Sequence, residues 1–209
     1  MLLNRLKDSL LSKHSRIFWK YRHLVDRKWA DVYSGQVSLA HPHRAWVTKA
    51  VEAYNVQSLL EIGCASGPNL FLLAIGNPDA KFYGWDISRN AIEVGRRIHG
   101  EFGNIIFYTP DQEWDGRSYD VILTDAALIY FNPEEVRRVI EKMKRVVTKA
   151  IIMVEWHSNR GSFVDYAHWV HNYRALFDGN TKFSKFPAAV WPAGGWKEHG
   201  YLITWEKRN

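Results

Sequence analysis

Between residues 58 and 156, short apolar runs alternate with longer amphipathic segments, and this alternation is the feature that most constrains the fold. The short runs predict strands, and the segments with apolar residues three and four apart predict helices. Strands that alternate with helices form a parallel sheet with helices on both faces. The predicted strands cover residues 58–62, 81–86, 104–108, 120–124 and 150–156. The predicted helices cover residues 68–75, 89–101 and 133–147.

The last third of the chain departs from this alternation. Residues 163–177 have apolar side chains at helical spacing and predict a helix. Two apolar runs follow, at residues 182–191 and 201–206, and predict an antiparallel pair at one edge of the sheet. The connection between them, "PAGGWKEHG", contains the proline and glycines typical of turns. The sequence therefore predicts an α/β fold whose mostly parallel sheet ends in an antiparallel strand.

Residues 1–35 are predicted to form a basic, amphipathic helical extension to a domain that covers residues 36–209. Leucine and aromatic side chains recur there at helical spacing, and residues 1–30 carry eight Lys or Arg side chains against two Asp or Glu. This segment accounts for the whole formal net charge of +6, so the remaining chain is neutral. The extension has three interpretations: a helix packed on the domain, a lid over the substrate, or a surface that contacts a membrane or a nucleic acid.

Composition limits the remaining possibilities. The 209 residues, 46% of them hydrophobic, suit one globular domain with a sizeable core. No apolar run is long enough to cross a membrane and no signal-peptide pattern occurs, so we expect a cytoplasmic protein, with contact to the inner face of a membrane as one role for the extension. The single cysteine, Cys64, excludes an internal disulfide and a thiolate zinc site, and we expect no bound metal.

The stretch "EIGCASGPNL", residues 61–70, places small residues directly after the first predicted strand. In an open parallel sheet, ligands bind beside the carboxyl ends of the strands, and the first strand-to-helix turn usually contacts them. Gly63, Ala65 and Gly67 remove side-chain bulk from this turn, which lets a ligand approach the backbone closely. The turn is therefore a candidate ligand-binding loop.

Acidic side chains follow the next two predicted strands. Asp86 ends the second, where a carboxylate can bind both hydroxyls of a ribose. Asp111 and Gln112 follow the third, where a carboxylate can accept a hydrogen bond from an adenine amino group. A nicotinamide-dinucleotide fingerprint would need glycine at the positions of Ala65 and Pro68, and no Gly-Lys-Ser/Thr follows the turn. The dehydrogenase and P-loop patterns are therefore disfavoured.

Four successive motifs resemble those of class I S-adenosylmethionine-dependent methyltransferases: "LLEIGCASG", "FYGWDIS", "IIFYTPDQ" and "YDVILTDAALIYFNPEE". The resemblance implies a Rossmann-like seven-stranded sheet with an antiparallel last strand, and S-adenosylmethionine as the cofactor. It places the methionine part at the glycine loop, where Ala65 replaces a common glycine, the ribose on Asp86, and the adenine near Ile87, Asp111 and Gln112. The implied cofactor-binding residues are Glu61, Gly63, Cys64, Ala65, Gly67, Asn69, Asp86, Ile87, Ser88, Asp111, Gln112, Thr124 and Asp125.

Methyl transfer from a sulfonium needs a lone pair aimed at the methyl group and, for a hydroxyl acceptor, a base that removes the proton. Such a base should lie at the carboxyl ends of the fourth and fifth strands. The candidates there are Thr124, Asp125, Tyr130, Glu155 and His157. We prefer His157 because the ordinary pKa of histidine lies near neutrality. Glu155 has an alternative role as a cap of the helix that follows it, and His157 as a hydrogen-bonded loop residue.

Histidines cluster in two further places. His168, His171 and Arg174 would share one side of the predicted helix in "DYAHWVHNYRALF". That side is interpreted either as a solvated polar face or as a wall of the acceptor site in which His168 takes part in catalysis. His41 and His43, in "HPH", are interpreted as turn residues or as groups that reach over the cofactor.

The acceptor is the least constrained prediction. "LIYFNPEE" and "HNYRALF" resemble small methyltransferases of bacterial surface-sugar biosynthesis, although Tyr130 stands where these often have histidine. Trp191 and Trp196 belong to a tryptophan-rich third that suits sugar rings, planar rings or cations. We predict transfer to an oxygen or nitrogen of a small polar metabolite, with a sugar or glycan precursor as one candidate. The alternatives are RNA methylation through the basic extension, and a non-catalytic cofactor-binding or membrane-associated protein; the oligomeric state is not indicated.

Overall fold

A computed structural model of the chain describes residues 17–21, 29, 35–177 and 179–208. Nine strands and seven α-helices lie within these residues, together with a short 3-10 helix, Leu128–Tyr130. The strands are β1 (Ser58–Ile62), β2 (Lys81–Trp85), β3 (Ile105–Tyr108), β4 (Tyr119–Asp125), β5 (Val147–Trp156), β6 (Phe163–Asp165), β7 (His168–Val170), β8 (Thr181–Lys185) and β9 (Gly200–Glu206). The helices are α1 (Gln36–Leu39), α2 (Pro42–Glu52), α3 (Pro68–Gly76), α4 (Arg89–His99), α5 (Pro133–Val146), α6 (Tyr173–Leu176) and α7 (Gly194–His199).

Seven of the strands form one sheet in the order β3-β2-β1-β4-β5-β9-β8. The pairings from β3 to β5 are all parallel, whereas β9 runs antiparallel to both of its neighbours. The strand order reverses between β1 and β4, and the carboxyl ends of these two strands create a crevice there. The predicted seven-stranded, mostly parallel sheet with an antiparallel strand is confirmed.

Side chains that alternate along the buried strands divide the core into two layers. On β1, Leu59 packs into the cluster that contains residues of α2, α3 and α4, and Leu60 packs into the cluster beneath α5. This is the two-residue period of a strand covered by helices on both faces. Helix α5 begins sharply because the side chains of Asn132 and Glu135 cap each other's backbone N–H groups.

The helix predicted over residues 163–177 is wrong. The segment forms the β6–β7 hairpin and then the short helix α6. Tyr166 and Ala167 both have positive φ, 44° and 61°, as a two-residue hairpin turn requires. His168, His171 and Arg174 therefore do not share a helix side: His171 is fully buried, and Arg174 is exposed.

The strand predicted over residues 182–191 is too long, because it ends at Lys185. Pro187 has no N–H to donate to a strand ladder, and the chain turns there, with the N–H of Val190 donating to the Pro187 carbonyl. The connection expected to be a turn holds α7. Both departures bring Trp191 and Trp196 towards the crevice at the carboxyl ends of the strands.

Most of the predicted extension, residues 1–35, lies outside the described residues. Residues 17–21 and Trp29 are helical, and Trp29 is buried. The division of the chain at residue 35 stays a prediction. Among the described residues, no helix is long and apolar enough to cross a membrane.

Candidate active site

The loop between β1 and α3 turns sharply at the carboxyl end of the sheet. Gly63, Ala65 and Gly67 all have positive φ, at 79°, 49° and 84°. The N–H groups of Gly63 and Cys64 donate to the carbonyl of Trp85 at the end of β2, at 2.7 and 3.2 Å. These bonds fix the loop to the neighbouring strand and leave its inner side along the crevice.

Glycine is required in this loop by close packing as well as by backbone conformation. A Cβ on Gly63 would lie 2.5 Å from the Cβ of Ala127, which follows β4, and a Cβ on Gly67 would lie 2.7 Å from the ring of Phe107. Ala65 has a side chain and nevertheless adopts a left-handed backbone conformation. This conformation costs an L-residue roughly 1–2 kcal/mol of conformational free energy. The loop therefore packs in van der Waals contact with Ala127, in the segment that follows β4.

Asp86 joins the glycine loop to the start of α4. Its Oδ2 accepts from the N–H of Ala65 at 2.9 Å, and its Oδ1 accepts from the N–H of Ser88 at 2.8 Å. Burial raises the pKa of Asp86, against the opposing effect of these two N–H donors. Because each carboxylate oxygen has two lone pairs, both oxygens retain capacity to accept from ribose hydroxyls.

A buried polar network connects the glycine loop to β4 and α2. The amide of Asn69 donates to Oε1 of Glu61 at 2.7 Å and to Oδ2 of Asp125 at 3.0 Å. Arg44 donates to Oδ1 of Asn69 at 2.7 Å, and its remaining donors bind the carbonyl and hydroxyl of Ser38. Five side chains, one each from α1, α2, β1, α3 and β4, are thereby held in one arrangement.

Glu61 has chemistry suited to a cationic ligand group. Its Oε2 is buried and has no hydrogen-bond partner among the described residues. Burial raises the pKa of Glu61 to about 8, against the opposing hydrogen bond from Asn69. An ammonium group beside this carboxylate would supply the missing donor and favour the ionised form.

A cavity of about 600 Å³ opens at this crevice. One end is lined by the loop and strand-end residues, and the other by aromatic side chains from distant parts of the chain. Lining residues at the first end, called here the cofactor end, are Glu61, Ile62, Gly63, Cys64, Ala65, Pro68, Asn69, Trp85, Asp86 and Ile87. Aromatic residues at the second, the acceptor end, are Trp19, Tyr130, Phe131, Trp191 and Trp196.

The structure brings most of the predicted cofactor-binding residues to this cavity. Those that line it are Glu61, Gly63, Cys64, Ala65, Asn69, Asp86, Ile87 and Asp125. Gly67 and Ser88 lie behind the lining and shape the backbone, and Thr124 is buried within β4. Asp111 and Gln112 are exposed and do not line the cavity: Asp111 pairs with Arg89 at 2.6 Å, and the side chain of Gln112 accepts from Thr109.

His157, the preferred base, does not line the cavity. Its ring is buried, with Nδ1 3.2 Å from the carbonyl of His171 and Nε2 3.1 Å from Oδ1 of Asn159. Burial lowers the pKa of His157, against the opposing hydrogen bonds. His157, which follows β5, packs against Phe183 of β8 and Tyr201 of β9 instead of lining the cavity. Its position corresponds to the alternative role, a hydrogen-bonded loop residue.

Glu155 caps a helix that precedes it in the chain, not the following helix that the sequence suggested. Its carboxylate accepts from the N–H groups of Ala127, Leu128 and Ile129 at 3.0–3.2 Å and so holds the start of the 3-10 helix. Burial raises its pKa to about 8, against the opposing effect of these donors. Through this cap, Glu155 positions Tyr130, which does line the cavity.

His168 packs beside the acceptor end without lining it. Its Nδ1 lies 2.7 Å from the carbonyl of Tyr166, and its ring meets that of Tyr130 edge to face at 5.1 Å. Of the five predicted catalytic residues, only Asp125 and Tyr130 line the cavity.

Arg44 was not recognised from the sequence as part of the site, whereas reaching over the cofactor was one of the two interpretations given for His41 and His43. His41, His43 and Arg44 all line the cavity, and His43 Nε2 lies 2.9 Å from Oδ2 of Asp125. In the sequence, two histidines flank Pro42 at the start of a predicted helix. No local pattern indicates that the start of this helix lies beside β4.

Such a sheet, with a glycine loop after β1, an acidic residue after β2 and a cavity at the reversal of strand order, defines the class of α/β proteins that bind nucleoside cofactors. The match to a model of one family makes the assignment specific. Residues 56–202 match the model described as "Methyltransferase domain", so the chain belongs to that family. It is an S-adenosylmethionine-dependent methyltransferase with a class I fold.

Solved structures share this fold at low sequence identity. One is the magnesium protoporphyrin IX methyltransferase of Synechocystis PCC 6803 with bound S-adenosylmethionine, which is 16% identical with a TM-score of 0.67, over 95% of this chain and 97% of that chain. Another is the plantazolicin methyltransferase in complex with a monoazolic substrate analogue and S-adenosylhomocysteine, 14% identical with a TM-score of 0.64, over 98% and 99%. A search of the curated proteins gave no match.

Proposed function

We propose that this methyltransferase transfers a methyl group to an oxygen or nitrogen of a small molecule that presents a ring. The observation that carries the proposal is the single cavity that joins the glycine loop to a wall of aromatic side chains. Its volume of about 600 Å³ lies within the range of roughly 300–1,000 Å³ that is usual for small-molecule sites.

The residues at the cofactor end fit S-adenosylmethionine. The unpartnered, buried Oε2 of Glu61 suits the ammonium of the methionine part, and the carboxylate of Asp86 suits the ribose hydroxyls. Ile87 and Trp85 offer apolar surface for the adenine. When bound, the cofactor supplies an electrophilic methyl group. The adenine contacts assigned to Asp111 and Gln112 stay a prediction.

The acceptor end suits a ring. Trp191 and Trp196 stack with ring centroids 4.5 Å apart, and Tyr130 and Trp19 meet edge to face at 5.0 Å across the cavity mouth. Aromatic faces bind both planar rings and the apolar faces of sugars. The solved relatives named above act on a porphyrin and on a plantazolicin precursor, which is consistent with a ring-bearing acceptor.

Trp19 favours the lid interpretation of the N-terminal segment, because its side chain lines the cavity. The RNA and membrane hypotheses rest on the basic side chains of residues 1–30, of which Lys20 alone lies within the described residues. No contact or distance among the described residues supports either hypothesis.

A transfer assay with radiolabelled S-adenosylmethionine tests the proposal. The acceptor panel would contain a phenol, an aromatic amine, a nucleotide sugar and a homopolymeric RNA, with S-adenosylhomocysteine formation measured in parallel. We expect label to enter one or more of the three ring-bearing small molecules, and Trp196→Ala to reduce that transfer. Label that enters RNA alone would overturn the proposal, and cofactor binding without transfer to any member would favour the non-catalytic alternative.

A further inference from the structure

Three side chains form a hydrogen-bonded chain at one wall of the cavity. Nδ1 of His41 lies 2.6 Å from Nδ1 of His43, and Nε2 of His43 lies 2.9 Å from Oδ2 of Asp125. His43 is buried, and the side chain of Asp125 is 12% exposed. His41 is half-buried, and all three side chains line the cavity.

Proton positions in this chain follow from the carboxylate. Burial alone would raise the pKa of Asp125, but His43, Arg44 and Asn69 outweigh it and hold the pKa below its usual value, so the carboxylate is ionised and accepts. Nε2 of His43 must therefore carry a proton. In a neutral His43 ring, Nδ1 then has the lone pair and accepts from Nδ1–H of His41. This tautomer replaces the longer N-cap contact, 3.4 Å, in which Nδ1 of His41 accepts from the backbone N–H of His43. The lone pair of His41 consequently lies on Nε2.

Nε2 of His41 is available to a ligand. No described residue forms a hydrogen bond with it, whereas both ring nitrogens of His43 are engaged. Trp191 packs against both imidazoles, with centroid distances of 5.1 Å to His41 and 4.9 Å to His43, and this contact limits their rotation. The same tryptophan faces the acceptor end, so an acceptor that stacks there lies beside His41.

We propose that His41 is the catalytic base that deprotonates a hydroxyl acceptor, and that His43 and Asp125 form a relay that takes up the proton. The inference rests on the proposed function and narrows it to O-methylation. The acceptor O–H bond breaks, its proton bonds to Nε2 of His41, and the proton on Nδ1 of His41 moves to Nδ1 of His43. The acceptor oxygen forms the new C–O bond while the methyl–sulfur bond breaks and its electron pair stays on sulfur. The positive charge then lies on His43, beside the carboxylate of Asp125.

The position of His41 favours a neutral base before reaction. Burial, followed by the electrostatic effects of neighbouring His43 and Arg44, lowers the pKa of His41, against the attraction of Asp125. A second positive charge on His41 would therefore be disfavoured once His43 has taken up a proton. His41 is also the N-cap of α2, where the helix dipole disfavours an added positive charge. After transfer, the backbone N–H of His43, 3.4 Å from Nδ1 of His41, can donate to the lone pair that the relay exposes. Other titratable groups that line the cavity are Glu61, Cys64, Asp86 and Tyr130.

Substitution of His41 by glutamine separates the base from a binding role. We expect His41→Gln to lower kcat about 100-fold or more with an acceptor whose hydroxyl is un-ionised at pH 7, the usual size of a lost general base. With a nitrophenol that is already ionised, no base is needed, so His41→Gln should lower kcat only a few-fold. The affinity for S-adenosylhomocysteine should stay within twofold.

His199→Gln is the matched control, because His199 Nε2 forms a similar pair with Asp165, at 2.8 Å, outside the cavity lining. We expect it to retain activity within about twofold. His43→Gln and Asp125→Asn should move the acidic limb of the kcat profile, since the relay sets the effective basicity of His41. If His41→Gln lowers kcat equally for ionised and un-ionised acceptors, or leaves kcat unchanged, His41 is not the catalytic base. The proposed function would not be affected by either result.

Imidazole titration by ¹⁵N NMR tests the relay without turnover. In the protein without acceptor we expect Asp125→Asn to lower the pKa of His41, because it removes the attraction of the carboxylate that opposes the lowering. A pKa of His41 that Asp125→Asn leaves unchanged would overturn the relay. If only the aromatic amine of the acceptor panel is methylated, the role of His41 as a base for hydroxyl acceptors is overturned. If no member of the panel is methylated, the proposed function is overturned as well.

Discussion

The two ends of the cavity are built differently. The cofactor end comes from two short stretches, residues 61–69 and 85–87, at the tips of adjacent parallel strands. The acceptor end combines Trp19, Tyr130 and Trp191, which are far apart in the chain. A site made from contiguous strand ends is determined by the sheet, whereas a site made from distant segments depends on how each segment packs. Changes at the two ends should therefore have separable effects.

The largest effect is expected from Gly63→Ala at the cofactor end. The added Cβ would lie 2.5 Å from Cβ of Ala127, and φ is 79°. We expect a loss of about 3 kcal/mol in the free energy of unfolding, from left-handed strain and overpacking together. Urea unfolding measures the loss, and S-adenosylhomocysteine binding should disappear with it. A second variant that adds Ala127→Gly removes the clash but not the strain, so it should recover part of the stability; no recovery would contradict the packing explanation.

An acid-dependent loss of stability is expected at the acceptor end. His171 donates from Nε2 to the carbonyl of Phe131 at 3.0 Å, and burial lowers the pKa of His171 from 6.5 to about 4. Because the unfolded chain binds the proton more readily, stability should fall as pH decreases from 6.5 to 4, by about 3 kcal/mol at most. Unfolding measured across this window should show a shallower slope in His171→Gln. Equal slopes in both proteins would exclude His171 as the cause.

Asp86→Ala should weaken cofactor binding without changing the acceptor end. We expect about a 10- to 100-fold loss in affinity for S-adenosylhomocysteine by calorimetry, the usual cost of losing hydrogen bonds to a charged group. Asp111→Ala is the informative comparison, because this carboxylate is exposed and already paired with Arg89. Its effect should be smaller, and an equal loss would support a direct adenine contact.

The smallest effect is expected from Trp191→Ala. The affinity for S-adenosylhomocysteine should stay within about twofold, while the KM for a ring-bearing acceptor should rise about tenfold, consistent with roughly 1.4 kcal/mol of lost stacking. Trp191→Phe, which keeps a ring, should recover most of the acceptor affinity. A parallel loss of cofactor affinity would show that the two ends are not separable.

The cofactor end could be predicted because its signals are local. The alternation of strands and helices indicated the sheet. Gly63 and Asp86 directly follow two neighbouring parallel strands, so both lie at the carboxyl edge of the sheet whatever path the rest of each loop takes. The same reasoning does not place His157 at the cavity, although it also follows a strand, because its ring packs against Phe183 and Tyr201 and forms its hydrogen bonds there. Strand-end position alone does not tell which way a side chain faces.

The sequence by itself determined the mostly parallel sheet and its antiparallel strand, because apolar periodicity and turn chemistry act over a few residues. It indicated the family and the cofactor through four motifs that resemble those of class I methyltransferases. Tertiary structure alone decided that Arg44 joins the network of Asn69 and Asp125, and that His43, which contacts His41, meets Asp125 82 residues away. It also decided that residues 163–170 form a hairpin, with positive φ at both turn residues, in place of the first part of the predicted helix. Contacts between distant segments depend on packing of the whole domain, and no local pattern encodes them.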